Sequence, residues 1–205
     1  MGYFSRCPEV DLIANASFSA CIFVIFVGQF SKIAIVVFGA LYLQDKLGMS
    51  PLTAGLALLA SVAAFPFLSA PVGRLADKYA ARPLVLSGIA LATLAMFWLG
   101  FTVAWDSYVL LLPGLIGWGL GMPLCYAPAL RAMANSVPLE KQGQASGIGV
   151  TSRLLGGAIG MAVGSSLLVT TGSFEVVFLA TAGVMLVAVL FGFFAIERRG
   201  GAQIP

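Results

Sequence analysis

Three groups of residues in this chain could do chemistry, and all three lie within or beside long apolar runs. Gln29 and Lys32 are three residues apart, so a helix would set an amide and an ammonium on one face. A cation in the middle of an apolar run is costly and marks a path for polar solutes or ions. The alternative is a lysine that snorkels toward headgroups or sits neutral, although half a span, ~16 Å, exceeds its reach. Arg153 lies about two turns inside a later apolar run. Snorkelling, or pairing across an interface, suits it better than binding a substrate.

The third group is the segment Gly73-Arg74-Leu75-Ala76-Asp77-Lys78-Tyr79-Ala80-Ala81-Arg82-Pro83, with three cations and one carboxylate between two apolar runs. Its glycine lets two backbones approach closely. Asp77 can accept charge-assisted hydrogen bonds from a neighbouring helix N-terminus or pair with a cation. Contacts of that kind can latch one conformation of a moving bundle. The plainer reading is a positively charged loop with a stray carboxylate.

Other chemistries find no support. The chain has no histidine, which removes the usual metal ligand and the commonest proton shuttle. Cys7, Cys21 and Cys125 have neither metal-ligand spacing nor a disulfide pattern. No nucleophile–base pair, metal cluster or phosphate loop is present, so the sequence does not read as an enzyme and calls for no cofactor. A net charge of +3, dispersed along the chain, is too small a footprint for nucleic acid.

The elements that must position these groups follow from composition. With 60% hydrophobic and 9% charged residues and a mean hydropathy of +1.02, the chain departs from soluble domains, which carry roughly 25% charge. Six apolar runs, at 17–43, 52–72, 84–104, 108–130, 144–169 and 175–196, each approach the ~20 residues that cross a bilayer as a helix. This gives an all-α membrane protein with a six-helix body over 17–196, a leading segment 1–16 and a tail 197–205. Pro51 and Pro83 suit first turns, where a missing N–H costs little. The opening residues carry acids and lack a signal-peptide core, so the first run is expected to remain as a membrane helix.

Cations set the orientation. Arg6, Arg74, Lys78, Arg82, Arg131, Lys141, Arg198 and Arg199 fall on one side, and Lys46 alone falls on the other. The positive-inside bias therefore places both termini in the cytoplasm.

The runs differ in character. The third and sixth have uncharged interiors and read as lipid-facing. The fifth has Gly156, Gly160 and Gly164 at intervals of four, a stripe where another helix can come close, either as plain packing or as a sliding surface. Gly117, Gly121, Pro123 and Pro128 should bend the fourth.

The motifs also resemble a known family. Gly73, Leu75, Ala76, Asp77 and Lys78, with Arg82 as the later base, look like the loop between the second and third helices of each half in the major facilitator superfamily. Ala80 and Ala81 depart from that pattern, where a second glycine and often a base would stand. Tyr42-Leu43-Gln44, Leu47-Gly48, Ser50-Pro51 and Ala54-Gly55 resemble the first loop of the C-terminal half in its fourteen-helix drug:proton antiporters. Ala145-Ser146-Gly147 and the run from Arg153 to Gly160 resemble the penultimate helix, and Pro8, Asp11 and Leu12 resemble the linker before this half.

The resemblance implies one half of a two-half transporter, built as a three-plus-three inverted repeat. The first and fourth helices would line the cavity; Lys32 matches no family-wide position, so the place of Gln29 and Lys32 in a transport path rests on the residues themselves. The second and fifth would face the missing N-terminal half or a second copy, with Arg153, Gly156, Gly160 and Gly164 serving packing and that interface. Gly73, Arg74, Asp77, Lys78 and Arg82 would form the gating loop. The implied function is proton-coupled export of drugs or small molecules across a bacterial inner membrane, with this chain a fragment or truncated product. The alternative is a non-transporting six-helix membrane protein with a structural or regulatory role. All eight acids (Glu9, Asp11, Asp45, Asp77, Asp106, Glu140, Glu175 and Glu197) lie at span ends or in loops. A coupling carboxylate is therefore expected on the other half.

Overall fold

Apolar runs of this length have to form helices, because a bilayer offers no other partner for backbone N–H and C=O groups. A computed structural model describes residues 16–63, 72 and 81–195, and every regular element among them is helical. The first span is α1 (Ala16–Ile33), a π-helical segment (Ala34–Gly39) and α2 (Ala40–Asp45). Then come α3 (Pro51–Val62), α4 (Ala81–Thr102) with a 3-10 turn (Val103–Trp105), and α5 (Tyr108–Asn135). A second 3-10 turn (Leu139–Lys141) leads into α6 (Gln142–Thr171), and α7 (Phe174–Ala195) follows.

Five described stretches are long and apolar enough to cross a membrane: Phe18–Asp45, Arg82–Trp105, Tyr108–Asn135, Leu139–Thr171 and Phe174–Phe194. The second expected run is described as 12 helical residues, Pro51–Val62. That is ~18 Å of helix, short of the ~30 Å hydrocarbon core. Residues 64–71 of that run lie outside the described residues, as do Gly73, Arg74, Asp77 and Lys78.

Local chemistry accounts for the ends. Pro51 takes the first position of α3, and the Ser50 hydroxyl caps it by accepting from the Thr53 N–H at 3.3 Å. Gly172, at φ +65°, closes α6 in the left-handed conformation that glycine tolerates. The fourth span runs to Asn135, past its expected end, and α5 continues as a helix through Pro113, Pro123 and Pro128.

Close backbone approach decides the packing. Gly88 of α4 and Gly121 of α5 face each other, and a methyl on Gly121 would lie 2.7 Å from the Gly88 carbonyl oxygen. The face of α6 that carries Gly156, Gly160 and Gly164 is seated on the first span, against the Phe26 and Phe30 backbones and the Phe38 ring. The stripe expected to serve packing and an interface with another half is therefore engaged within this bundle. A methyl on Gly156 would collide with the Phe26 carbonyl, so a side chain there would hold the two helices apart.

Around these crossings lies a core that includes Val24, Val27 and Ile35 of the first span, Ile89 and Met96 of α4, Trp118 of α5 and Met185 of α7. The outward stripe of α4, Leu91, Leu94, Trp98 and Phe101, is exposed, as are Leu190, Phe193 and Phe194 of α7. Lipid-facing surfaces have this apolar character.

Buried polar side chains are satisfied locally. Ser61, Thr93, Thr102 and Thr181 donate to carbonyls one turn back along their own helices. Ser152 of α6 instead donates to the Ile22 carbonyl of α1, at 3.3 Å. Among the described residues no buried side-chain polar atom lacks a partner, as a bilayer demands.

Candidate functional site

Lys32 and Gln29 open onto a cleft of about 340 Å³ enclosed by four helices. The first span supplies Gly28, Gln29 and Lys32, and α3 supplies Ser61 and Val62. Trp118, Met122 and Tyr126 come from α5, and Arg153 from α6. Lys32 stands near the middle of Phe18–Asp45, and Arg153 lies well inside Leu139–Thr171. The two cations expected to act separately therefore line one space.

Each wall has a local cause. On α5, residues 118, 122 and 126 recur at intervals of four, which stacks an indole, a thioether and a phenol on one helix face. Trp118 is buried, and its indole N–H donates to the Ser31 hydroxyl oxygen at 3.2 Å. Ser31 in turn donates to the Gly28 carbonyl at 3.0 Å, so the ring is tied to the helix that carries Lys32. Gln29 rests against Gly157 of α6, where a methyl would come within 3.3 Å of its Cγ. That contact holds α1 and α6 close, one turn from Arg153.

The electrostatics are one-sided. The cleft lining contains Lys32 and Arg153 and no acid. The described acids, Asp45, Asp106, Glu140 and Glu175, lie at the ends of helices or in the turns between them. Lys32 and Arg153 are both exposed in the bundle, and among the described residues neither has an ion-pair partner. Beside Lys32 the helix switches to the π form over Ala34–Gly39, a local underwinding of the kind often found at functional sites. A larger groove of about 520 Å³ between α1, α6 and α7 is lined by residues such as Phe23, Phe26 and Phe191, and its lining includes no charge.

Arg82, expected in the gating loop, is the part of that loop the structure describes. Its guanidinium donates to the Phe193 carbonyl near the end of α7 and lies over the Phe193 ring, 5.3 Å from the centroid. A cation on the last carbonyls of a helix also complements the helix dipole.

The match to known proteins is consistent with this bundle. Residues 20–204 match the sequence profile of the Major Facilitator Superfamily. The chain belongs to that superfamily.

Among curated major facilitator relatives, the Multidrug resistance protein Stp of Mycobacterium tuberculosis is 32% identical over 160 residues, covering 78% of this chain and 30% of Stp. An uncharacterized MFS-type transporter of Bacillus subtilis, YttB, is 32% identical over 166 residues, 80% of this chain and 40% of YttB. The Lincomycin resistance protein LmrB of Listeria monocytogenes is 27% identical over 158 residues, 76% of this chain and 34% of LmrB. The chain thus spans between 30% and 40% of the length of these three relatives. Superfamily membership and the apolar helices make it a multi-pass integral membrane protein, and its relatives are transporters rather than enzymes.

Sequence reasoning missed Trp118, Met122 and Tyr126 as parts of the site, and it assigned Arg153 to an interface. The four-residue spacing on α5 carried the signal. That Arg153 lines the same cleft as Lys32 depends on how α6 crosses α1, which no local pattern encodes.

Proposed function

We propose that this chain is the C-terminal six-helix half of a proton-coupled exporter of drugs or small molecules, and that the Lys32–Arg153 cleft is its share of the transport path. The observation that carries the reading is the mid-span cleft itself: two cations, an amide and two amphipathic aromatics around one space, with no acid in the lining. Ionisable groups within membrane spans mark solute pathways by default.

The helix pairing supports a three-plus-three inverted repeat. α1 of the first triplet crosses α6 of the second where Gly156 meets the Phe26 backbone. α5, which opens the second triplet, crosses α3 of the first where Gly119 meets the Ser61 backbone. An inverted repeat exchanges these two crossings. The exposed apolar faces of α3 (Leu52, Leu56, Leu59) and α6 (Leu154, Leu155, Ile159) are surfaces on which an N-terminal half would sit. In this reading the 73–82 loop is cytoplasmic, with Asp77 latching the closed state, and the membrane is the bacterial inner membrane. The proton-coupling carboxylate then belongs to the partner half, because every acid in the sequence falls at the end of an expected span or in a loop.

The test is co-expression with an N-terminal half from a related drug exporter, followed by efflux from energised membrane vesicles. Recovered efflux that a protonophore collapses is expected. Assembly of the two halves without any efflux would point instead to the structural or regulatory role.

A further inference from the structure

The fold does not set the class of compound carried; the lining of the site does. Two features of the lining bear on that class. Lys32 and Arg153 bring two positive charges to one cleft, and no acid among its lining residues offsets them. An uncompensated charge inside a membrane protein favours an anion, because its own desolvation is then repaid by pairing. A guanidinium grips a carboxylate through two parallel N–H bonds, and an ammonium adds a point charge. The second feature is aromatic. Trp118 is held by its bond to Ser31, and Tyr126 follows it on the same face of α5, two turns further on. Trp118, fixed in this way, and Tyr126 bring aromatic surface to the lining.

We propose that the cleft binds small aromatic carboxylates, with the carboxylate between Lys32 and Arg153, the ring against Trp118 and Tyr126, and Gln29 available to a further polar group. This inference rests on the cleft being open to substrate, as in the proposed transport path. A carboxylate can come from a free ligand or from an acidic side chain of the complementary half; the free ligand is the occupant proposed, because the aromatic walls provide for a ring that Asp and Glu lack.

The probe is anthranilate (2-aminobenzoate), with its neutral isostere 2-aminobenzamide as control and benzyltrimethylammonium as cationic competitor. The full chain is placed in zwitterionic lipid nanodiscs with Trp98→Phe and Trp105→Phe, leaving Trp118 as the energy donor. Sensitised emission should show anthranilate binding at least tenfold tighter than the amide. Lys32→Gln and Arg153→Gln should each weaken anthranilate tenfold or more and the amide by a much smaller factor, and an unchanged melting midpoint reports that the fold is intact. Lys32→Arg should stay within about threefold of the parent, and Arg153→Lys, which keeps the charge but loses the paired N–H bonds, should bind more tightly than Arg153→Gln and less tightly than the parent. Equal binding of acid and amide, insensitivity to both glutamine variants, or displacement by benzyltrimethylammonium would each overturn the proposal.

Adding the complementary half separates the two sources. Persistent anthranilate binding supports a free ligand. Loss of binding that returns when an acid on that half is neutralised assigns the cleft to a side chain and overturns the proposal. The efflux assay keeps the two readings distinct. Recovered efflux of cationic compounds, without competition by anthranilate, sinks this inference and leaves the transport reading standing. Specific anthranilate binding without any efflux does the reverse.

Discussion

Trp118 and Ser31, 87 residues apart, are joined by an indole N–H donated to the hydroxyl oxygen at 3.2 Å, in a fully buried setting between α5 and α1. The bond fixes one wall of the cleft relative to Lys32, which follows Ser31 directly. Ser31→Ala would leave a buried donor without its acceptor, at a cost of about 1–3 kcal/mol. Trp118→Phe should cost stability as well. The double variant should cost less than the sum of the two, with a coupling of about 0.5–3 kcal/mol in a double-mutant cycle read by unfolding in detergent. Strict additivity would mean the bond does not form.

Gly156→Ala should destabilise the bundle by about 1–3 kcal/mol, because the new methyl meets the Phe26 carbonyl and forces α6 away from α1. Gly147→Ala, on the same helix but with nothing within 4 Å, should be neutral or slightly stabilising through helix propensity. Thermal unfolding of the two variants side by side checks the contrast. Equal effects would remove the close crossing from the account.

Much of this fold is legible in the sequence, because membrane spans announce themselves by length and apolarity. The breaks at Trp105–Ser107 and Thr171–Ser173, the proline start of α3 and the glycine stripe of α6 all stand where residue chemistry puts them. The partners of the stripe were not legible. A glycine face permits close approach to any helix, and only tertiary packing selects Phe26 and Phe30. Gly88 gives no signal in the sequence, since its role exists only opposite Gly121. The π segment after Lys32 is likewise silent, because Ala34–Gly39 reads as ordinary apolar helix.

At the other end of the first span, the Tyr42 hydroxyl is shared between the Val103 carbonyl at 2.9 Å and the Asp106 carboxylate at 3.1 Å. It ties α2 to the turn between α4 and α5. Tyr42→Phe should lower stability by about 0.5–1.5 kcal/mol without altering secondary structure. Circular dichroism together with a melting curve tests both parts, and an unchanged midpoint would show the bond to be dispensable.

The cation bias predicts an orientation that labelling can check. In a background without native cysteines, Glu140→Cys should label from the cytoplasmic side and Lys46→Cys from the opposite side. Glu140 adjoins Lys141 in the turn between α5 and α6, and Lys46 lies in the turn after α2. Inverted labelling would reverse the orientation.

The central claim is that Lys32 and Arg153 line a water-filled path at mid-membrane, and thiol accessibility tests it most directly. With the complementary half present and the native cysteines replaced, Lys32→Cys and Arg153→Cys should react with a membrane-impermeant methanethiosulfonate at least tenfold faster than Leu94→Cys. Leu94, 67% exposed on the outer apolar stripe of α4, serves as the lipid-facing control. Rates for the two cleft positions as low as that of Leu94→Cys would contradict the account.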